Sequence, residues 1–322
     1  MPPRVALSRS FIFAIRPPPT RTARWASSKS RLSSPDLSLL RHRHLSDESP
    51  DGLVPYDDAE QLQEKLRSEF LSWKSRPELS ASVPANCPRP HLISFESTPT
   101  YTLGRRQEDL TPNQAASLRR DLQVDLVHRH RPLHGRSFIP DIRKTNRGGL
   151  TTYHGPGQIV FWPVLDMHSP LYARYGVASY ASHLESTTQR LLAEMFGIRT
   201  HISRDEPGVW IDDGASSRGE RKIAALGVHH RRHVTALGIA LNIDIPVVGD
   251  AHMNPWARFV PCGLDGKLVT SVAAELQSAT NTSQQTPWDL SLLAARWAKM
   301  FEEGLLDASK RTFDATGEGR SR

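Results

Sequence analysis

Cysteine, lysine and long apolar runs are all scarce in this 322-residue chain, and each scarcity closes off a class of protein. Two cysteines, Cys87 and Cys262, are too few for a disulfide framework and suit a reducing compartment. No apolar run approaches the ~18 residues of a spanning helix. Acid is absent from the first 35 positions, which hold Arg4, Arg9, Arg16, Arg21, Arg24, Lys29 and Arg31. Setting these aside, the net charge of +7 vanishes, because 34 basic residues then face 34 acidic ones. A general polyanion-binding reading thereby loses its support. No Gly-x-x-x-x-Gly-Lys-[Ser/Thr] phosphate loop, no Gly-x-Ser-x-Gly elbow and no dinucleotide fingerprint after a strand is present.

An Arg- and Ser-rich, acid-free leader over residues 1–35 has the composition of a mitochondrial transit peptide. A secretory signal needs ~7–15 apolar residues, and the run at 11–15 is too short. Residues 36–55 are polar without a period and read as a linker. A helix follows, capped by Asp57 or Asp58, with Leu62, Leu66, Phe70 and Trp73 on one face. Pro77, Pro84, Pro88 and Pro90 then make a loop. Apolar runs at 92–95, 124–127, 159–165, 209–211, 223–228 and 234–243 read as strands. The spacing of Val177, Tyr180, Leu184, Leu191 and Met195 predicts a helix over 177–196, stopped by Gly197. A last helix opens at Thr286-Pro287-Trp288-Asp289, buries Leu290, Leu293, Trp297 and Phe301, and ends at Gly304. The expected organisation is one α+β domain over 56–310, with a flexible tail at 311–322.

Three segments stand out chemically. The first holds four glycines in ten residues, within Arg147-Gly148-Gly149-Leu150-Thr151-Thr152-Tyr153-His154-Gly155-Pro156-Gly157-Gln158. Such density lets backbone approach a ligand and line an anion or carbonyl site. In the second, Lys222 opens a strand, Ile223 to Val228, that forms a hairpin with the strand from Val234 through the charged connection His229-His230-Arg231-Arg232-His233. With only 8 lysines against 33 arginines, a lysine at a strand start is notable: desolvated, it becomes a point charge or a tunable proton carrier. The third is Pro261-Cys262-Gly263, where a thiol ends a short apolar run at a turn. Cys87, in a Pro-rich loop, lacks any activating neighbour. The three histidines of the connection lack the Glu of His-Glu-x-x-His and sit at a turn, so they read as solvated residues and no metal is expected. No cofactor is expected either.

Together these segments resemble the lipoyl(octanoyl) transferases of mitochondrial type. The resemblance includes Tyr101-Thr102-Leu103-Gly104-Arg105-Arg106, the whole Arg147–Gln158 string, Gly208-Val209-Trp210, Lys222-Ile223-Ala224, Gly238-x-Ala240-Leu241-Asn242 and Pro261-Cys262-Gly263. It spans roughly residues 90–280 in order and spacing. It implies the α+β fold of biotin- and lipoate-protein ligase catalytic domains. The implied activity is transfer of octanoyl from octanoyl-acyl carrier protein to a lysine of a lipoyl domain, in 2-oxoacid dehydrogenases or the glycine cleavage H protein, inside the matrix. By the resemblance Cys262 carries the acyl thioester and Lys222 lowers its pKa. Arg147, Gly148, Gly149, Leu150, Thr151, Thr152, Tyr153 and His154 line the acyl site, with Ala225, Leu226, Gly227, Gly238, Ile239 and Ala240. Two stretches depart from the bacterial pattern, 128–144 and 213–221. The rivals are an ATP-dependent lipoate or biotin-type ligase and an inactive lipoylation scaffold; Pro261-Cys262-Gly263 and the retention of Lys222 argue against both. The hairpin connection 229–233 is the expected docking patch for the acidic carrier, at the pocket mouth.

Overall fold

The computed structural model describes residues 38–76, 87–125, 135–203, 206–211, 219–259, 268–280 and 288–307. The chain runs β1 (Arg41–His44), α1 (Tyr56–Lys74), β2 (His91–Phe95), β3 (Thr100–Leu103), α2 (Pro112–Leu118), β4 (Leu122–Val124) and β5 (Arg136–Phe138). It continues through β6 (Asp141–Lys144), β7 (Thr151–His154), β8 (Gln158–Val164), α3 (Val177–Phe196), β9 (His201–Ile202) and β10 (Gly208–Ile211). Last come β11 (Arg221–Arg231), β12 (Val234–Asn242), β13 (Leu268–Val269), α4 (Val272–Thr280) and α5 (Leu290–Leu306).

Seven strands of the central sheet run in the order β1-β2-β8-β12-β11-β10-β9, and β13 pairs alongside β11. The β1–β2 and β11–β13 pairings are parallel and the others antiparallel. A three-stranded sheet, β6-β3-β7, and the β4–β5 pair complete an α+β architecture. Period-two alternation on β8 explains how the central sheet is covered on both faces. Ile159 and Phe161 point into a core shared with α3 and α5, whereas Val160 and Trp162 join the α1 side with Tyr56, Ala59 and Phe95. Phe161 stacks on Trp297 at 4.3 Å, Trp297 on Phe301 at 5.1 Å, and Phe301 on His183 at 4.3 Å.

Several expectations shift. Residues 41–44 are not linker: β1 extends the sheet by pairing with His91–Ser94, and Ser94 Oγ bonds both His42 and His44. Four alternating basic residues hide a strand from any apolar-pattern reading. The α1 helix starts after Pro55 without a side-chain cap, so Asp57 and Asp58 lie in its first turn, where they suit the helix dipole. Its most buried residues include Gln63, Phe70 and Trp73, while Leu62 and Leu66 are half-buried. The strand expected over 124–127 begins earlier, as Leu122–Val124, and residues 126 and 127 lie outside the described ones. Helix α3 ends as expected, with Gly197 in the left-handed region at φ 68°. Helix α5 is capped by Asp289, whose side chain accepts from Leu292 N, and it runs through Gly304 to Leu306. Gly304 serves packing instead of termination, since a Cβ there would sit 2.2 Å from His183 Nε2. The hairpin turn shrinks to Arg232 and His233, at φ 50° and 67°, because His229, His230 and Arg231 still pair with Ala236, Thr235 and Val234. Two positive φ values make this the primed two-residue geometry that usually takes Asn-Gly. His233 is held there by stacking on His168 at 3.7 Å and by its carbonyl accepting from Met167 N at 2.9 Å.

Candidate functional site

A cleft opens between α1 and the sheet, on the face away from α3 and α5. Its position follows from a proline. The register that pairs Ile239 with Phe161 and Asp166 with Val234 sets Leu237 opposite Pro163, which has no N–H to give. The Pro163 carbonyl is taken by the Thr235 hydroxyl at 2.9 Å, and Leu237 N turns out of the ladder to Gln63 Oε1 on α1 at 3.1 Å. Leu237 sits at φ 61°, a conformation costing about 1–3 kcal/mol in a non-glycine residue. The kink breaks the alternation, so Ala236 and Leu237 both face the α1 side. Gly238, next along, passes so close to β8 that a Cβ would lie 2.0 Å from the Phe161 carbonyl oxygen.

The cleft is walled by β11, β12, β7 and β8 residues together with Tyr56 and Arg147. Of the sequence-predicted substrate residues, Arg147, Thr152, His154, Ala225, Leu226, Gly227, Gly238, Ile239 and Ala240 line it. Gly148, Gly149, Leu150, Thr151 and Tyr153 do not. Alternation along β7 sends Thr152 and His154 into the cleft and Tyr153 the other way, against Tyr101 at 5.1 Å and Trp256 at 5.9 Å. Thr151 bonds Gln107 Oε1 through its hydroxyl at 2.8 Å. Tyr56, Val160, Trp162 and Leu237 line the cleft and were missed by the sequence reading. The alternation of β8 carries a signal for Val160 and Trp162, and Pro163 carries one for Leu237 once the pairing is known.

Two polar side chains dominate the wall. Arg147 is buried, its guanidinium donating to the carbonyl and hydroxyl oxygens of Thr102 and to Gly148 O. Its stem lies across Gly227, where a Cβ would come within 2.9 Å of Cδ. His154 stacks on Tyr56 at 5.7 Å and its Nδ1 meets Gln158 Oε1 at 2.8 Å. Gln158 uses its amide donors on Asn242 Oδ1 at 2.9 Å and Tyr153 O at 3.2 Å. Its Oε1 therefore accepts, His154 donates from Nδ1, and the imidazole lone pair is left at Nε2. Asn242 Nδ2 continues the chain to Thr270 O at 2.9 Å, and Thr270 N donates to Lys222 O at 3.0 Å.

Burial, opposed by the Gln158 bond and helped by the Arg147 charge, lowers the His154 pKa to about 4. Between pH 6.5 and 4 the unfolded histidine takes up a proton that the folded one refuses, so stability falls as pH falls through that window. The expected loss from this group is on the order of 3 kcal/mol. In urea titrations at pH 7 and pH 4.5, wild type should therefore lose more stability than His154→Gln. Equal losses would mean that His154 is not the buried neutral group described.

Lys222 is buried on β11 and stands outside the cleft wall, three residues before Ala225. Its Nζ lies 4.5 Å from the centre of the Trp210 ring, whose negative face attracts an ammonium. Glu185, on α3, accepts from Gly208 N at 2.7 Å; burial pushes its carboxyl up, and that bond and the Lys222 charge pull it back. Cys262 lies outside the described residues, as do the leader at 1–35 and residues 128–134 and 213–218 of the two departing stretches; the rest of the first stretch holds β5 and β6, and Arg221 opens β11. The described chain ends on one side of Cys262 at Phe259, packed on Tyr101 at 5.4 Å. It resumes at β13, where Leu268 pairs with Arg221 and Val269 with Lys222. Among the described residues no cluster of three or more His, Cys, Asp or Glu side chains could hold a metal ion, and no helix is long and apolar enough to cross a membrane.

Residues 139–287 match the lipoyl protein ligase A/B catalytic domain, in agreement with the α+β fold expected from the sequence. The human mitochondrial octanoyl-[acyl-carrier-protein]:protein N-octanoyltransferase LIPT2 is 35% identical over 240 residues, covering 73% of this chain and 86% of that protein. This chain belongs to the octanoyltransferase family. The zebrafish LIPT2 protein is 30% identical over 236 residues, with 73% and 85% covered. Among solved structures, the bipartite lipoate protein ligase of Thermoplasma acidophilum is similar at 12% identity and a TM-score of 0.47, with 83% of this chain and 84% of that one covered. As an octanoyltransferase the chain is an acyltransferase, and the nine cleft-lining residues expected from the sequence sit on β11, β12 and the glycine-rich segment.

Proposed function

We propose that this enzyme takes octanoyl from octanoyl-acyl carrier protein and delivers it to a lysine of lipoyl domains through a thioester on Cys262, in the mitochondrial matrix. The observation that carries the reading is the apolar cleft with a narrow glycine floor, from Gly227 and Gly238, and two fixed polar groups, Arg147 and His154. Such walls suit a slender alkyl chain and the two polar groups suit its carbonyl end, and the cleft, about 30 Å³ as it stands, must widen to admit eight carbons. The names of the human and zebrafish relatives specify the donor and the compartment for those proteins. The acid-free leader over 1–35 supports the same compartment here, ahead of a catalytic body that begins at Ser38.

In the first half-reaction the Cys262 thiolate attacks the donor carbonyl, a new C–S bond forms and the carrier leaves as its thiol. In the second, the acceptor lysine attacks, the C–N bond forms and the Cys262–acyl bond breaks. Lys222 as ammonium favours the thiolate and gives its proton to the departing carrier sulfur; as the neutral amine it then takes the proton released by the acceptor lysine, which restores the Cys262 thiolate and the Lys222 ammonium. Backbone N–H groups of the glycine-rich segment are the donors for the tetrahedral oxyanion. The thioester already stores the activation, so no nucleotide is consumed. Octanoylated lipoyl domain should accumulate from octanoyl-acyl carrier protein at the same rate with and without ATP and magnesium. A strict ATP requirement would point to a ligase instead.

A further inference from the structure

The charged hairpin turn does not stand at the cleft. Arg232 and His233 close the hairpin five residues beyond Gly227 and four before Leu237, about 13–16 Å along the strands from those cleft residues, with Arg232 reaching the Lys74 carbonyl at 3.5 Å. A different group of basic side chains does stand there. The Arg147 stem crosses Gly227, and the next residue of β11 on that face is His229. Arg105 is tied to the same place, its backbone N–H donating to the Arg147 carbonyl at 3.0 Å. Arg67 reaches it from α1, one helical turn beyond the Gln63 that holds Leu237.

We infer that this rim of Arg67, Arg105 and His229 receives an acidic face of the protein that presents the acyl group. The inference rests on the donor reading above. Burial first, then the charges of Arg67 and Arg105, keep His229 below the ordinary histidine range, so all three side chains share one neighbourhood. The carboxylate acting on His229 is Glu64, and it is engaged by Arg67 Nη1. Arg105 is exposed and has no carboxylate partner among the described residues. Arg67 is buried with its Nε unbonded and is paired with Glu64, and His229 is held neutral, so both shape the rim while Arg105 supplies its exposed charge. An unpaired arginine at the edge of an apolar cleft suits a partner whose surface is acidic around a tethered acyl chain. Such an exposed charge chiefly steers encounter and is screened beyond about 8 Å at physiological salt.

The test compares two donors, octanoyl-acyl carrier protein and octanoyl-pantetheine, with a constant lipoyl-domain acceptor. Arg105→Glu should raise the KM for the carrier donor about five-fold at low salt, the gap closing as salt rises. Its KM and kcat for octanoyl-pantetheine should match wild type, and Arg105→Lys should match wild type for both donors. Arg296→Glu makes the same charge change on α5, across the sheet from α1, and should leave both donors unaffected. Equal losses on the two donors, or an equal loss in Arg296→Glu, would overturn the docking role while leaving the transferase reading intact. A wild type that turns over octanoyl-pantetheine but not the carrier donor would overturn both.

Discussion

Cys262→Ala should abolish octanoyl transfer, with a fall in kcat of about three orders of magnitude or more, the scale seen when a covalent nucleophile is removed. The loss is large because no other described group can replace the thiol. Cys87 sits beside Ser169, where burial raises its pKa and holds it as the unreactive thiol. Cys262→Ser should be nearly as inactive, since a neighbouring ammonium does not ionise a hydroxyl at neutral pH. The thermal midpoint separates chemistry from folding. A variant with wild-type Tm and no turnover has lost its nucleophile, whereas retention of turnover would dispose of the covalent route.

Lys222→Met should slow acylation of the enzyme by about a hundredfold, the usual scale for a group that moves or stabilises a proton. Methionine keeps most of the buried volume against Trp210 and removes only the charge. The pH at which Cys262 is alkylated by iodoacetamide should then rise; each unit of that rise corresponds to ~1.4 kcal/mol of lost interaction with the thiolate. Removing the ammonium also leaves Glu185 without its neighbouring charge, so its carboxyl should move further up. An unchanged alkylation profile would show that Lys222 does not set the thiolate, whatever else the substitution does.

The parts of this fold that were legible in the sequence are those written in periodicity. The 177–196 helix and the two long strands of the hairpin emerge from spacing alone, because each buries one regular face. The unread parts owe their form to partners distant in sequence. β1 is a run of Arg and His that pairs with β2 fifty residues on, and β7 hides inside a segment dominated by glycine. Gly304 looks like a helix stop until His183 is found against it. Leu237 enters the cleft because Pro163 on another strand withholds a hydrogen bond, which no reading of residues 234–243 alone reveals.

The candidate site divides in the same manner. Motif resemblance brought in a set of fourteen substrate residues, and the structure sorts them by alternation into those facing the cleft and those, such as Tyr153 and Thr151, that face away and brace it. The connection expected to dock the carrier divides for a reason of length. Three residues assigned to a turn are strand, so the turn is carried away from the cleft and His229 remains beside it.

The central claim is a covalent octanoyl-Cys262 intermediate, and intact-mass measurement tests it most directly. Enzyme mixed with octanoyl-acyl carrier protein, without lipoyl domain, should gain one octanoyl group per chain. Peptide mapping should place that group on Cys262, and adding lipoyl domain should discharge it. Steady formation of octanoylated lipoyl domain with no adduct on Cys262, and with full activity in Cys262→Ala, would contradict the account.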